Sequence, residues 1–441
     1  MKSTTAHWDG HAVPHELRSP ERGAVEHNKT GKGLEKMRSR MIPSFVVATV
    51  MLTAGEAAST TLQAKSCSFA DVKTKADAAT NGDTVIIPKG ICTWTSSLNI
   101  TNKSVSFVGA GKTETVITKT NAGQTFSLSP RSTLFRISDM TIDGNRGVAS
   151  GILIEDNSVG TQPLSFRINN ILFSETYRSF EVRGYTKAVV DHCEFIDPYC
   201  TAVRVFSDCG GSWSRRPDYG GDEGLFIEDC LFRANKDSYD SDHKINGTGT
   251  LNHWTTANSG SVYTIRHSVF DTDYEAGNLF IGDTFDQHGF CYEGENCSGV
   301  PRHGGYMFNF YENTYTTEHV YRVFYIRGGK GVIYGNSFSG DLNQGINIIE
   351  ERTTKADCGQ EADGTCASTG GYPCTEQIGS DGAYHIWNNG TIPVKNLSPT
   401  YIHLNRDYFL SAPPGYVEYT YPHPLTLSND KPLPPTNVAV H

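Results

Sequence analysis

Between residues 196 and 303 the chain gathers, in three runs, the kinds of side chain that can act on a sugar polymer. The first run holds Trp213, Arg215, Arg216, Asp218, Tyr219, Asp222 and Glu223. The second holds Asp237, Tyr239, Asp240, Asp242, His243, Lys244, Asn252, His253 and Trp254, and the third holds Asp283, Asp286, His288, Tyr292, Glu293, Arg302 and His303. Two more cations, Arg327 and Lys330, lie in the Gly-rich turn of FYIRGGKGVIYGN (Phe324–Asn336). Aromatic faces stack on the apolar faces of sugars, and Trp213, Tyr219, Tyr239, Trp254 and Tyr292 are the candidate platforms.

Two reactions suit such a set. In β-elimination on a uronate polymer, a cation neutralises the substrate carboxylate and a base removes the acidified C–H proton. The candidate bases and carboxylate clamps are His243, Lys244, His253, His288, Arg302, His303, Arg327 and Lys330, with Lys244, Arg327 and Lys330 leading. The stretch DSYDSDHK (Asp237–Lys244) sets Asp237, Asp240 and Asp242 close together, and hard oxygen ligands of this kind suit Ca²⁺. It is no EF-hand, since the Gly and the distal Glu of that loop are missing. The second reaction is glycoside hydrolysis by two carboxylates. No intact N-T-D, D-D, G-H-G or R-I-K signature of a glycoside hydrolase occurs here, so hydrolysis ranks below elimination. A third reading needs no catalysis: an extracellular glycan-binding adhesin or structural surface protein would use the same aromatic insertions. Polar loops also occur for solvation alone, and any one of these rings could simply pack its own loop.

What must position these runs is a repeat. The lines FRISDMTI (Phe135–Ile142), FRINNILF (Phe166–Phe173), AVVDHCEF (Ala188–Phe195), FIEDCLFR (Phe226–Arg233), YTIRHSVF (Tyr263–Phe270), FNFYENTY (Phe308–Tyr315) and VIYGNSFS (Val332–Ser339) share one pattern. Aligned on the last large apolar residue, they end at Ile142, Phe173, Phe195, Phe232, Phe270, Tyr315 and Phe338. A base period of about 22 residues with variable insertions marks a solenoid. Two residues before each anchor stand Met140, Ile171, Cys193, Cys230, Ser268, Asn313 and Asn336, on the same strand face by period-2 geometry. An ordinary β-sandwich is the rival architecture. The three chemistry-bearing runs fall in consecutive insertions, which a solenoid places side by side.

This pattern resembles the right-handed parallel β-helix of the pectate-lyase-like superfamily, an all-β fold. The segments GDTVIIPKGICTW (Gly82–Trp94) and SVSFVGAGKTETVI (Ser104–Ile117) resemble the opening rungs of secreted β-helix enzymes. VVDHCEF (Val189–Phe195) resembles the WIDHC-F rung of family 1 pectate lyases, with Val where that family has Trp and no downstream R-x-P-x-x-R. The resemblance implies an extracellular polysaccharide as partner, and many such enzymes pair Ca²⁺ with a basic residue. It specifies fold better than reaction.

The remaining features bound the setting. Residues 1–64 read as a polar extension followed by a secretory signal: a basic Lys36–Met41 and an apolar Ile42–Gly55 too short to span a membrane. Ala57, Ala58 and Ala64 are candidate cleavage points, and no stable membrane insertion is expected after cleavage. Residues 65–350 read as the β-helix, opened by a capping helix in which Phe69, Val72, Ala76 and Ala79 recur at helical spacing. Residues 351–429 read as a Cys/Gly-rich loop and surface segment, and 430–441 as a linker-like tail. Eleven cysteines fit an oxidising compartment, hence a secreted or cell-surface location. Cys67–Cys92, Cys291–Cys297 and two of Cys358, Cys366 and Cys374 are the local pairs, while Cys193 and Cys230 are either a bridge between rungs or buried thiols. A net charge of −10 speaks against a nucleic-acid partner, and a monomer is expected. No P-loop, dinucleotide fingerprint, nucleophile elbow or Zn spacing occurs.

Overall fold

The computed structural model describes residues 59–427 apart from 132, 157–162, 207–216, 236–252, 259, 274–280, 290–303, 318–319, 341, 343, 350–377 and 380–381. Its short strands pair in parallel with the strand one coil earlier and one coil later, forming a ten-stranded and a nineteen-stranded sheet among the described residues. The chain is a parallel β-helix. The seven anchors stand in one column: Ile142 pairs with Phe173, and the column runs on through Phe195, Phe232, Phe270 and Tyr315 to Phe338. An earlier rung joins it, with Ile117 beside Ile142. Phe173, Phe195, Phe232 and Phe270 stack nearly face to face, with centroids 5.1, 4.5 and 4.4 Å apart. Each ring is fully buried, which contributes about 1.5–3 kcal/mol per side chain.

The nineteen-stranded sheet bends once per coil at a residue with positive φ. Asp139, Asn170, His192, Asp229, His267, Glu312, Gly335 and Asn388 occupy that position. One left-handed residue redirects the strand with no added loop, and Asn, Asp and Gly tolerate that conformation best. The next residue points inward, which gives the column from Met140 to Asn336. At its end Asn313, Asn336 and Asn389 form an amide ladder: the Asn313 Nδ2 donates to Asn336 Oδ1 at 3.1 Å, and the Asn336 Nδ2 to Asn389 Oδ1 at 2.9 Å. Their amides also reach the Ile265, Phe310 and Ile333 carbonyls, so these buried groups are satisfied. Cys193 and Cys230 in the same column are buried free thiols rather than an inter-rung bridge. Cys67 and Cys92 are disulfide-bonded. The other cysteine pairings proposed from the sequence lie outside the described residues.

Stacking continues past residue 350. Tyr384–Trp387 pairs with Gly331–Tyr334, and Val394–Asn396 pairs with Ile346–Ile348. At the other end a helix, Phe69–Ala78, begins at the N-cap Ser68 and buries Val72 and Ala76. A C-terminal strap, 416–427, runs across one outer face of the nineteen-stranded sheet. There the fully buried Arg266 donates to the Tyr419 and Thr420 carbonyls and to Glu228, which accepts from the His423 backbone N–H. No described helix is long and apolar enough to cross a membrane.

Candidate functional site

The ten-stranded sheet carries the chemistry on its outer face. Its strands Arg178–Arg183, Thr201–Phe206, His253–Asn258, Ile281–Gln287 and Val320–Ile326 lie side by side in that order. Register places Glu181, Arg204, Thr256, Asp286, Tyr325, Asn347 and Lys395 in one straight column. Two further outward positions flank it, three residues earlier and two later. In successive coils these read Arg178, Glu181, Arg183; then Thr201, Arg204, Phe206; then His253, Thr256, Asn258; then Asp283, Asp286, His288; then Arg322, Tyr325, Arg327. Between the first and second positions two consecutive residues turn inward. Thr284 and Phe285 are both fully buried, and the Thr284 Oγ1 lies 3.2 Å from Tyr315 OH while the Phe285 ring packs 4.6 Å from Phe310.

Asp286 is the centre of this face. Its side chain is 3 % exposed, and Arg327 grips it through Nη2, 2.8 Å from each carboxylate oxygen, with Nε at 3.2 Å from Oδ1. His288 Nε2 lies 2.9 Å from Asp286 Oδ2 and 3.0 Å from Thr256 Oγ1. The other ring nitrogen of His288, Nδ1, faces Arg327 Nη2 at 2.7 Å. A guanidinium can only donate, so Nδ1 must accept and Nε2 must carry the proton. His288 is therefore neutral. The charge balance agrees: burial pushes its pKa down, Asp286 pulls it back, and Arg327 and His253 push it down further. For Asp286 burial acts upward, but the facing His288 and Arg327, with His253 nearby, outweigh it and hold the carboxyl far below the usual range. Arg327 is charged at any relevant pH, so it keeps Asp286 ionised after His288 has lost its proton.

His253 completes the group. Its Nδ1 is 2.5 Å from the Asp283 carbonyl oxygen, an acceptor, so Nδ1 is the donor there, and the other ring nitrogen is Nε2. That Nε2 lies 4.0 Å from Asp286 Oδ2, on a ring whose side chain is 22 % exposed. Asp283 is itself engaged by Arg322, whose Nη2 is 3.0 Å from Oδ2. The Arg322 and Arg327 guanidinium carbons lie 3.5 and 4.6 Å from the Tyr325 ring centroid. The face thus offers a base beside a fixed carboxylate, a phenol between two cations, and a locked neutral imidazole.

Of the residues singled out in the sequence, His253, Asp283, Asp286, His288 and Arg327 come together here. Arg327, expected as a base or a carboxylate clamp, is 4 % exposed and holds a carboxylate of the protein itself, Asp286. Lys330 sits elsewhere, its Nζ over the Tyr219 and Tyr306 rings at 5.1 and 5.3 Å and 3.5 Å from Asp218. Tyr219 packs beside it; its hydroxyl donates to the Ala383 carbonyl at 2.6 Å, and burial pushes its pKa up to about 12. Trp254 is corrected outright as a sugar platform. It is wholly buried inside the coil against Phe232 and Phe270, because its strand opens with two consecutive inward residues. Trp213, Asp237, Tyr239, Asp240, Asp242, His243, Lys244, Tyr292, Arg302 and His303 lie outside the described residues. Among the described residues no cluster of three His, Cys, Asp or Glu side chains is placed to hold a metal ion.

The sequence reading passed over Thr256, Arg322 and Tyr325. Their signal is the recurring three-then-two spacing of outward residues after each anchor line, which shows only when the strands between the anchors are aligned as carefully as the anchors.

No protein-family model matches the chain, and no curated protein does. Several solved structures show a low similarity to it. An alginate lyase from Paenibacillus sp. is 11% identical, with a TM-score of 0.37, covering 66% of this chain and 98% of its own. A pectin methylesterase from Erwinia chrysanthemi is 11% identical, with a TM-score of 0.39, covering 64% and 90%. The A-module of a mannuronan C-5 epimerase from Azotobacter vinelandii is 12% identical, with a TM-score of 0.27, covering 78% and 91%. None of them supplies a role for a residue of this chain.

Proposed function

We propose that this chain is a polysaccharide lyase that breaks a uronate-containing polymer by β-elimination on the outer face of the ten-stranded sheet. The observation that carries the reading is His253: its Nδ1 is tied to the Asp283 carbonyl, and its Nε2 lies 4.0 Å from Asp286 Oδ2 on a partly exposed ring. In the reaction Nε2 takes the proton from the carbon bearing the substrate carboxylate. The electron pair left behind forms the new C=C bond, and the neighbouring C–O bond breaks, its pair leaving with the glycosidic oxygen. Asp286, held ionised by Arg327, stabilises the imidazolium that forms. Arg322 and Arg327 supply the positive field for the substrate carboxylate, and Tyr325 between them is placed to return a proton to the leaving oxygen.

Hydrolysis is less well supported. It requires one carboxyl group kept protonated as a general acid. Asp286 is held ionised, and Asp283 is taken up by Arg322. The reading includes export, for which Ile42–Gly55 is the sequence signal, and a monomeric enzyme. Ca²⁺ belongs to it through Asp237, Asp240 and Asp242, as the cation that would neutralise the substrate carboxylate.

The test is His253→Gln. Loss of a general base should lower turnover on the cleaved polymer by about 10²–10⁴-fold while binding is kept. Cleavage by the variant at the parent rate would end the assignment of His253.

A further inference from the structure

The C-terminal strap, 416–427, lies on the outer face of the nineteen-stranded sheet and plays no part in the lyase reading. It holds to the coils from outside, since none of its residues belongs to the continuous buried core within them. Its rings rest on the sheet: Tyr416 against Tyr334 and Trp387, Tyr419 against Phe226, and Tyr421 on His267 at 3.7 Å. Its backbone is gripped by cations of the sheet. Arg266 donates to the Tyr419 and Thr420 carbonyls, and Arg167 Nη1 donates to the Thr426 carbonyl at 3.0 Å.

Of the strap's residues only His423 is buried. It caps the final turn, Pro424–Leu427. Its Nδ1 accepts from the Leu425 N–H at 3.2 Å, and its carbonyl accepts from the Thr426 N–H and hydroxyl. A backbone N–H can only donate, so Nδ1 carries a lone pair and the ring is neutral in this arrangement. The carboxylates around it are already engaged. Glu228 gives Oε2 to Arg266 and Oε1 to the His423 backbone N–H, Asp191 is paired with Arg167, and Asp222 is paired with Lys187. Asp229 accepts from the Tyr421 hydroxyl, and Glu418 accepts from the Tyr334 hydroxyl. The Tyr419 ring lies 5.5 Å from the His423 ring. The fully buried Arg266 sets a fixed positive charge beside it. Burial and that charge lower the His423 pKa to about 4, against the pull of Asp191 and Asp222.

We propose that His423 is a proton-sensitive latch, whose protonation releases the strap from the sheet while the coils beneath stay folded. A proton on Nδ1 turns an acceptor into a donor. The Leu425 N–H then loses its partner, the final turn loses its cap, and a second buried positive charge stands beside Arg266. In a released strap the ring meets water and has an ordinary pKa of about 6.5. The closed form refuses a proton that the open form takes up, so closure is full above about pH 6.5 and weakens as the pH falls toward 4. Between pH 7 and pH 5 the closing equilibrium should fall about 20-fold. The latch is independent of the lyase reading.

Hydrogen exchange on the full chain, read by peptide mass and corrected for the intrinsic rate at each pH, tests the latch. Peptides covering 416–427 should be protected at pH 7 and lose about 20-fold of that protection at pH 5. The strands beneath, Gly224–Glu228 and Val262–Arg266, should keep theirs. His423→Asn supplies a capping side chain that takes no proton in this range, so its strap should stay protected at both pH values. The proposal is overturned if the strap's protection is the same at pH 7 and pH 5, or if the strands beneath lose protection together with it. It is also overturned if His423→Asn opens as the parent does, which would put the proton on Glu228 or His267. Should His423→Asn fail to fold, His423→Gln carries the same comparison.

Discussion

Asp286→Asn would remove the carboxylate that grips the buried Arg327 guanidinium. Breaking such a pair costs about 3–5 kcal/mol, whereas replacing both partners by apolar groups is often neutral. Urea denaturation should therefore show a large loss for Asp286→Asn and recovery of most of it in Asp286→Asn with Arg327→Met. If the double variant is no better than the single one, the pair is not an isolated couple and the rest of the cluster holds Asp286. At this scale the sequence was only partly legible. His253, His288 and Arg327 could be picked as candidates because imidazole and guanidinium are rare in a solenoid framework. Their roles could not be picked. That Arg327 is a positioning group depends on Asp286 lying one strand away, 41 residues earlier. That Trp254 is core depends on a local inward pair no alternation rule contains.

The anchors were legible at the scale of elements because each repeats a period-2 line ending in a large apolar residue, and stacking demands that the same position be filled in every coil. The strands of the ten-stranded sheet were not, since their outward residues differ from coil to coil: a His here, an Asp or Arg there. The C-terminal strap is a second element whose contacts only the structure shows. His423, within the strap, is buried, with its Nδ1 accepting from the Leu425 N–H at 3.2 Å. Burial and the nearby Arg266 lower its pKa to about 4, against the pull of Asp191 and Asp222. The unfolded chain has an ordinary His, near 6.5. Between those values the unfolded state binds a proton that the folded state refuses, so stability is full above about pH 6.5 and falls as the pH drops toward 4. A shift of that size is worth about 3 kcal/mol. Urea midpoints measured from pH 7 to 4 should show this slope in the parent chain and a flatter one in His423→Gln. Equal slopes would mean that other groups govern the acid limb.

The molecule as a whole is a stack in which each coil contacts mainly its neighbours, so the candidate face is assembled from residues far apart in sequence but one strand apart in space. An acidic chain that concentrates arginines on one long sheet face is suited to an anionic polymer, which can lie across many strands at once. The measurement that bears most directly on this account is incubation of the protein with pectate, alginate, glycosaminoglycans and neutral glycans, with Ca²⁺ or with EDTA, following both ultraviolet absorbance of an unsaturated product and new reducing ends. The account predicts that both rise together on a uronate polymer, and that His253→Gln abolishes both; loss of the signal in EDTA would assign the Ca²⁺ role to the reaction. Reducing ends without absorbance, or binding with neither signal across the panel, would contradict it.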